Sequence, residues 1–390
     1  MSNTSQTNPG VVILPKREIK SKGLVLTLMI IAIFTILMTL GLFNLYSASG
    51  GAEIFYTQAR HTALGIVVFV ICGFVVTPRF LNTYAYYILG FVCVLLIAVL
   101  ILGKIGGGSQ RWIVVGPFRA QPSEFAKIAI AIGVGHFFHV NRGQYMYGFR
   151  ELWPLIGIVG LTAGLIFPEP DFGTAGFIVI IALVQILFVR LDWKMVGYVV
   201  ASGAATAPIV WTFLLKDYQR NRVLSFLDPD FDLHGKGYNA LQSLVAIGSG
   251  GVTGKGYLQG TQTQLQFLPM RHTDFVFSVF AEENGFWGCA ILFLLFAGIG
   301  FVSLEVARRA KDTFSSLLAV GLAAFIFVEF TINVAMVLRM FPVVGLPLPF
   351  FSYGGSTLIT VCAALGLLVS IDRENMGRSS VIGSGHQVKL

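Results

Sequence analysis

The chain has 390 residues, of which 55% are apolar and 12% charged; a soluble domain carries about 25% charge, so a fold covered by water on all sides is excluded. At roughly 20 apolar residues per crossing, the length accommodates about ten membrane spans with short connections. The net charge of +8 does not mark a nucleic-acid binder, because the 27 Lys and Arg residues are dispersed and mostly flank apolar runs, where they act as topology signals.

Residues 1–22 are polar and read as a tail that carries Lys16, Arg17, Lys20 and Lys22. The apolar run from Leu24 to Leu45, followed by Ser47-Ala48-Ser49, has the outline of a secretory signal. It is longer than a signal core of about 7–15 residues, so a retained helix is expected. Nine further apolar runs follow near 61–76, 84–103, 122–139, 153–168, 172–189, 195–215, 274–303, 314–340 and 354–371. A cytoplasmic N-terminus puts Arg79, Arg142 with Arg150, Arg190 with Lys194, Arg308 with Arg309 and Lys311, and Arg373 with Arg378 on that same side. The expected fold is therefore all-α: a polytopic membrane domain of about ten helices over 23–372, with both tails, 1–22 and 373–390, in the cytoplasm.

The same alternation places 46–60, 104–121, 168–171, 216–273 and 341–353 on the opposite side. The segment 216–273, between the seventh and eighth helices, is the longest, and its Gly, Gln and charged residues predict partial order against the bundle. No internal repeat at a fixed period is visible, so the two-half architecture of an alternating-access transporter has no support. Cys72, Cys93, Cys289 and Cys362 lie inside apolar runs without metal or redox spacing and read as inert packing.

Charge at membrane depth is costly, so the few ionisable residues there are informative. Glu124 and Lys127 are three residues apart on one helical face and can pair. If they form only an ion pair, exchanging the two should preserve function. Asp274 opens the eighth run after Arg271-His272-Thr273 and suits either a catalytic carboxylate or a helix cap. Glu282 is expected two turns along roughly the same face, with Glu283 pointing away. Asp171, after Pro168-Glu169-Pro170, fits a cap at least as well as a functional role. The three prolines of 342–356 impose irregular backbone that must be shielded by protein or a cavity. The Gly254-Lys255-Gly256 stretch lacks the strand-to-helix context of a phosphate loop.

Together the segments GGSQRWIVVG (107–116), QPSEFAK (121–127), PEPDFGTA (168–175), IGSGGVTGKGYLQGTQTQLQFLPMRHTDFVFSVFAEENG (247–285) and PVVGLPLPFFSYGGS (342–356) resemble the SEDS family of shape, elongation, division and sporulation proteins, and within it the RodA branch. The resemblance runs from about residue 24 to 372, in order. It implies a peptidoglycan glycosyltransferase that polymerises lipid II at the outer face of the bacterial cytoplasmic membrane, acting with a class B penicillin-binding protein and among membrane lipids. Asp274 matches the family's essential carboxylate; Trp112, Glu124 and Lys127 fall in its other sensitive motifs. Arg111, Lys127, Lys255 and Arg271 are the cations expected to meet the diphosphate, Ser352 is a further substrate-binding candidate, and a divalent metal ion (Mg or Mn) is an open possibility. The sequence departs from the family pattern at Glu169, where Gln is common, at Met270, where Glu is common, at Asn284, where Leu is common, and at Arg339, where Gly is common. A lipid II flippase and a membrane scaffold for a transpeptidase are the alternatives.

Overall fold

The computed structural model describes residues 16–381 apart from 51, 107–108, 116–117, 144–145, 170, 215–216, 228–235 and 266–269. The outer parts of both expected tails, 1–15 and 382–390, lie outside the described residues. In chain order the helices are α1 (Lys16–Ser49), α2 (Ala52–Phe74), α3 (Pro78–Thr83), α4 (Ala85–Leu102), α5 (Pro122–Val140), α6 (Phe149–Ile166), α7 (Phe172–Leu187), α8 (Trp193–Ile209, continued by a π-helical turn at Val210–Leu214), α9 (Asp217–Leu227), α10 (Lys236–Gly250), α11 (Thr261–Gln264), α12 (Val276–Arg309), α13 (Thr313–Val337) and α14 (Gly355–Val381). Each of the ten apolar runs falls on one helix: α1, α2, α4 to α8 and α12 to α14. Among the described residues seven of these are long and apolar enough to cross a bilayer by length and composition. The other three are α5, which carries the charges of Glu124 and Lys127, and the shorter α7 and α8.

Helices α13 and α14 form the hub, with 78% of their most apolar stretches buried against 22–39% for the other five. α14 packs on α2, and α13 packs on α12 and α5. Aliphatic and aromatic side chains such as Phe325, Leu318, Leu365 and Phe351 are fully enclosed there. The outward faces of α1, α2 and α4 instead expose Leu24, Val67, Phe91 and Ile101, as expected of surfaces that meet lipid rather than water.

Three features depart from the sequence reading. A small antiparallel sheet forms from β1 (Lys104–Gly106), β2 (Ser109–Val115) and β3 (Phe118–Ala120), in the order β1-β2-β3, with Lys104 opposite Trp112 and Ile113 opposite Ala120. α1 and α14 run past the expected boundaries at 22 and 373. The eighth run is not one helix from Asp274: α12 starts at Val276 and is broken at Gly285 (φ 63°, ψ −161°).

That break is filled by the preceding loop. The amides of Lys255 and Gly256 donate to the carbonyls of Glu282 and Glu283, and those of Phe286 and Trp287 donate to Gly251 and Val252. Backbone groups released by the interrupted helix are thereby satisfied without water. The close approach needs glycine on both sides, since a Cβ at Gly254 (φ 79°) would lie 2.1 Å from the Glu283 carbonyl.

Candidate active site

The turn 270–275 carries Asp274 and is held from outside. Tyr353 N–H donates to the His272 carbonyl at 2.8 Å, the Ser352 hydroxyl to Thr273 at 2.6 Å, and the Asn333 amide to Asp274 at 3.0 Å. A second amide, from Asn44 in α1, meets the Val276 carbonyl at 3.3 Å. Three consecutive carbonyls are thus tied to α13 and to the 342–356 loop, leaving the Asp274 side chain little freedom to wander. The N-cap of α12 falls on Phe275, without a side-chain cap bond, so the capping alternative for Asp274 does not hold. The carboxylate is half-buried and faces the 341–345 loop: its Oδ2 lies 3.5 Å from where a Cβ on Gly345 would stand. Ser352 is buried, its hydroxyl also accepting from Leu348 N–H at 2.7 Å, so its contacts position the turn.

Beside this turn, burial and the Arg271 charge lower the pKa of His272 from 6.5, which keeps the imidazole neutral at physiological pH. Arg271 donates to the Thr263 carbonyl, and its Nη2 lies 3.3 Å from a Cβ position at Gly50, in the α1–α2 turn. Lys255 binds Glu282 at 2.8 Å and the Thr261 hydroxyl at 2.7 Å. Glu282 also accepts from the Gln262 and Thr263 amides, and Glu283 accepts from Ser47 and from Leu258 N–H. The two glutamates therefore both anchor the 255–263 loop, so Glu283 does not point away from Glu282 as expected.

Arg111, on β2 next to half-buried Trp112, donates to the Glu169 carbonyl at 2.8 Å and lies 3.8 Å from the Asp171 carboxylate. Asp171 caps α7 through Thr174 N–H at 3.4 Å and accepts from Gln121 at 3.1 Å. Glu169 is 1% exposed, and neither carboxyl oxygen has a hydrogen-bond partner among the described residues. Burial, reinforced by the Asp171 charge and only partly opposed by Arg111, pushes its pKa up to about 8. The α7 start touches the same 341–345 loop, with the Val344 carbonyl 3.0 Å from a Cβ position at Gly173.

Lys127 is fully enclosed in the bundle. Its ammonium lies 2.8 Å from Glu124, as the spacing predicted, and 2.6 Å from Glu329 of α13, with the rings of Phe177 and Phe325 each at 5.2 Å. Glu329 and Asn333 were not singled out by sequence, although both are polar residues in one apolar run. Among the described residues no three His, Cys, Asp or Glu side chains converge as a metal site would require.

Among the described residues, apolar helices packed around the α13–α14 hub, with a pinned turn that carries Asp274, define a polytopic membrane protein. The family model for FtsW/RodA/SpoVE cell cycle proteins matches residues 23–377, and the chain belongs to that family. It is 40% identical over 328 residues to the peptidoglycan glycosyltransferase MrdB of Escherichia coli K12, covering 84% of this chain and 88% of that protein. The fold is similar to a chain of a peptidoglycan synthase complex solved for the structural coordination of polymerization and crosslinking (TM-score 0.76, 29% identity, 89% of this chain and 97% of that one). It is also similar to the rod shape determining protein RodA of Thermus thermophilus (TM-score 0.67, 26% identity, 89% and 96%).

Proposed function

We propose that this chain is a peptidoglycan glycosyltransferase that polymerises lipid II during cell elongation, with Asp274 as the general base. The observation that carries this reading is the Asp274 turn, tied at three successive carbonyls and presenting a half-buried carboxylate at the mouth of the bundle. Family membership and 40% identity to a peptidoglycan glycosyltransferase of the MrdB type support the reaction and the elongation branch.

A lipid diphosphate is already a good leaving group, so sugar transfer needs no strong general acid and one carboxylate suffices, unlike the paired carboxylates of glycoside hydrolysis. Asp274 takes the proton of the acceptor hydroxyl as that oxygen attacks the anomeric carbon of the lipid-linked donor. The glycosidic bond forms, the bond to the diphosphate breaks with inversion, and the charge on the departing diphosphate is met by protein cations.

The basic residues at the other bundle end, Arg79, Arg142, Arg190, Arg308 and Arg373, support a cytoplasmic position for that end and an outward position for Asp274 in the bacterial inner membrane. Similarity to a member of a peptidoglycan synthase complex supports a class B penicillin-binding protein as partner. The test is purified Asp274→Asn in liposomes with lipid II supplied on the outer face. The variant is expected to keep the wild-type melting temperature and to make no glycan polymer; full activity would remove the assignment. Polymer from wild type under these conditions also separates the enzyme from a flippase or a scaffold, neither of which forms the bond.

A further inference from the structure

Several basic residues at the bundle end away from Asp274 are matched within the chain. Arg79 pairs with Glu374 at 2.6 Å, Arg308 and Arg309 share Glu305, and Lys311 donates to the Asn375 carbonyl at 3.2 Å. Arg142, Arg150 and Lys194, at the junctions of α5 with α6 and of α7 with α8, are exposed and form no ion pair among the described residues.

One buried tyrosine brings these two junctions together. Tyr147 N–H donates to the Arg190 carbonyl at 3.0 Å, its carbonyl accepts from Asp192 N–H at 3.1 Å, and its hydroxyl donates to the Asn141 carbonyl at 2.8 Å. Arg142, Arg150, Arg190 and Lys194 each lie at, or within three residues of, a position tied in this way. The carboxylates of the same stretches are engaged with backbone: Glu151 accepts from Gly148 N–H at 2.8 Å and Asp192 from Lys194 N–H at 3.0 Å, at the starts of α6 and α8. Four cations therefore stand against two carboxylates, and the surface keeps a positive excess.

What lies beside the cations is apolar. The groove between the two junctions is lined by Arg190 together with Met146, Leu187 and Trp193. Trp193, Phe149 and Phe188 turn outward, Trp193 being 74% exposed. A soluble polyanion or an acidic peptide would leave these rings in water. A phospholipid meets both halves of the surface at once, its phosphodiester against the cations and its acyl chains against the rings. The positive excess favours an anionic headgroup over a zwitterionic one. We propose that the Tyr147 tie creates a binding site for an anionic phospholipid, seated between the α5–α6 and α7–α8 junctions with its phosphodiester among Arg142, Arg150, Arg190 and Lys194. The site depends neither on the glycosyltransferase reading nor on which leaflet this end meets.

The probe is dioleoylphosphatidylglycerol, titrated onto the full-length chain in detergent and counted by native mass spectrometry, with dioleoylphosphatidylcholine as the zwitterionic comparison. Each cation that faces a lipid headgroup contributes about fivefold in affinity, so wild type should prefer the anionic lipid by more than about tenfold. The triple variant Arg142→Gln, Arg150→Gln and Lys194→Gln changes only exposed side chains; it should melt like wild type and lose that preference. Tyr147→Phe keeps both backbone bonds and every cation but releases residue 141, and should weaken binding about fivefold, as if Arg142 were lost. Arg79→Gln with Arg308→Gln, at cations already matched by carboxylates, should bind within about twofold of wild type. Equal binding of the two lipids by wild type, or an undiminished preference in the triple variant or in Tyr147→Phe, overturns the proposal. Equal losses in the triple variant and the matched double variant overturn it too, because net charge alone would then account for binding. So does displacement of the lipid by polyglutamate at equal charge, which would make the surface a seat for acidic protein. Glycerol phosphate offers the same headgroup chemistry without tails and should compete only weakly; competition as strong as that of the lipid would remove the acyl-chain half of the site and with it the proposal.

Discussion

Asn333 of α13 donates one side-chain amide to two carbonyls, that of Asp274 at 3.0 Å and that of Leu346 at 2.7 Å. One buried residue therefore sets the distance between the turn that carries the carboxylate and the loop that faces it. Asn333→Ala leaves both carbonyls without this donor, at a cost of about 1–3 kcal/mol, and lets turn and loop drift apart. Because misplacement of a reacting group by about 1 Å costs on the order of 100-fold, kcat for polymerisation should fall about 10- to 100-fold. KM should stay nearly constant, since the lipid-binding surface is intact. Steady-state kinetics on the purified variant separate this from simple unfolding, which would lower active-site concentration in proportion to the loss of folded protein.

Gly345 gives a second handle on the same gap. It has φ 76°, and a Cβ there would rest 3.5 Å from Asp274 Oδ2. Gly345→Ala introduces no clash at that distance, but it puts an L side chain in the left-handed region, for about 1 kcal/mol of stability. The methyl also stands between the loop and the carboxylate. Polymerisation is expected to drop more than the melting temperature suggests; loss of activity in strict proportion to folded fraction would show that the space beside Asp274 is not used.

The Lys127 cluster calls for a different experiment from the one the sequence suggested. Exchanging Glu124 and Lys127 would put a glutamate against Glu329, so the exchange should fail even if the cluster is purely structural. Removing the ammonium alone, as in Lys127→Ala, leaves two buried carboxylates uncompensated and should cost about 3–5 kcal/mol. The informative variant neutralises all three, Glu124→Gln with Lys127→Met and Glu329→Gln. It is expected to fold and to retain polymerisation within about tenfold, because replacing a whole buried ionic group is often tolerated. Abolished polymerisation in a well-folded triple variant would instead give Lys127 a direct role.

Much of this architecture was legible in sequence because lipid imposes simple rules. Ten apolar runs became ten helices, and the i,i+3 spacing of Glu124 and Lys127 became a contact. The cap at Asp171 was legible from Pro170 and the helix that follows. The three-stranded sheet was not, since two of its strands have only three residues and carry too little alternation to register. The break at Gly285 depends on a loop 30 residues upstream filling it, which no local pattern encodes. Sequence also named cations without their partners. Whether Lys255 or Arg271 faces a ligand or a neighbouring segment is decided by tertiary contacts with Glu282 and Thr263. Asn333 and Glu329 could have been found by the reasoning that found Lys127, as polar groups in an apolar run.

Glu169 should make stability depend on pH in a definite direction. Its carboxyl has a pKa of 4.5 in the unfolded chain and about 8 when folded. Between those values the unfolded chain releases the proton while the folded protein keeps it. The contribution to stability is full below the lower value and is lost as pH rises through the higher one, at no more than about 1.4 kcal/mol per pH unit. Glu169→Gln cannot ionise and keeps the shape of the neutral acid. Melting temperatures in detergent should therefore be similar for the two proteins near about pH 5 and diverge towards about pH 8, where the variant melts higher. Parallel curves over that range would mean that Glu169 is already ionised in the folded state, with Arg111 outweighing both burial and the Asp171 charge.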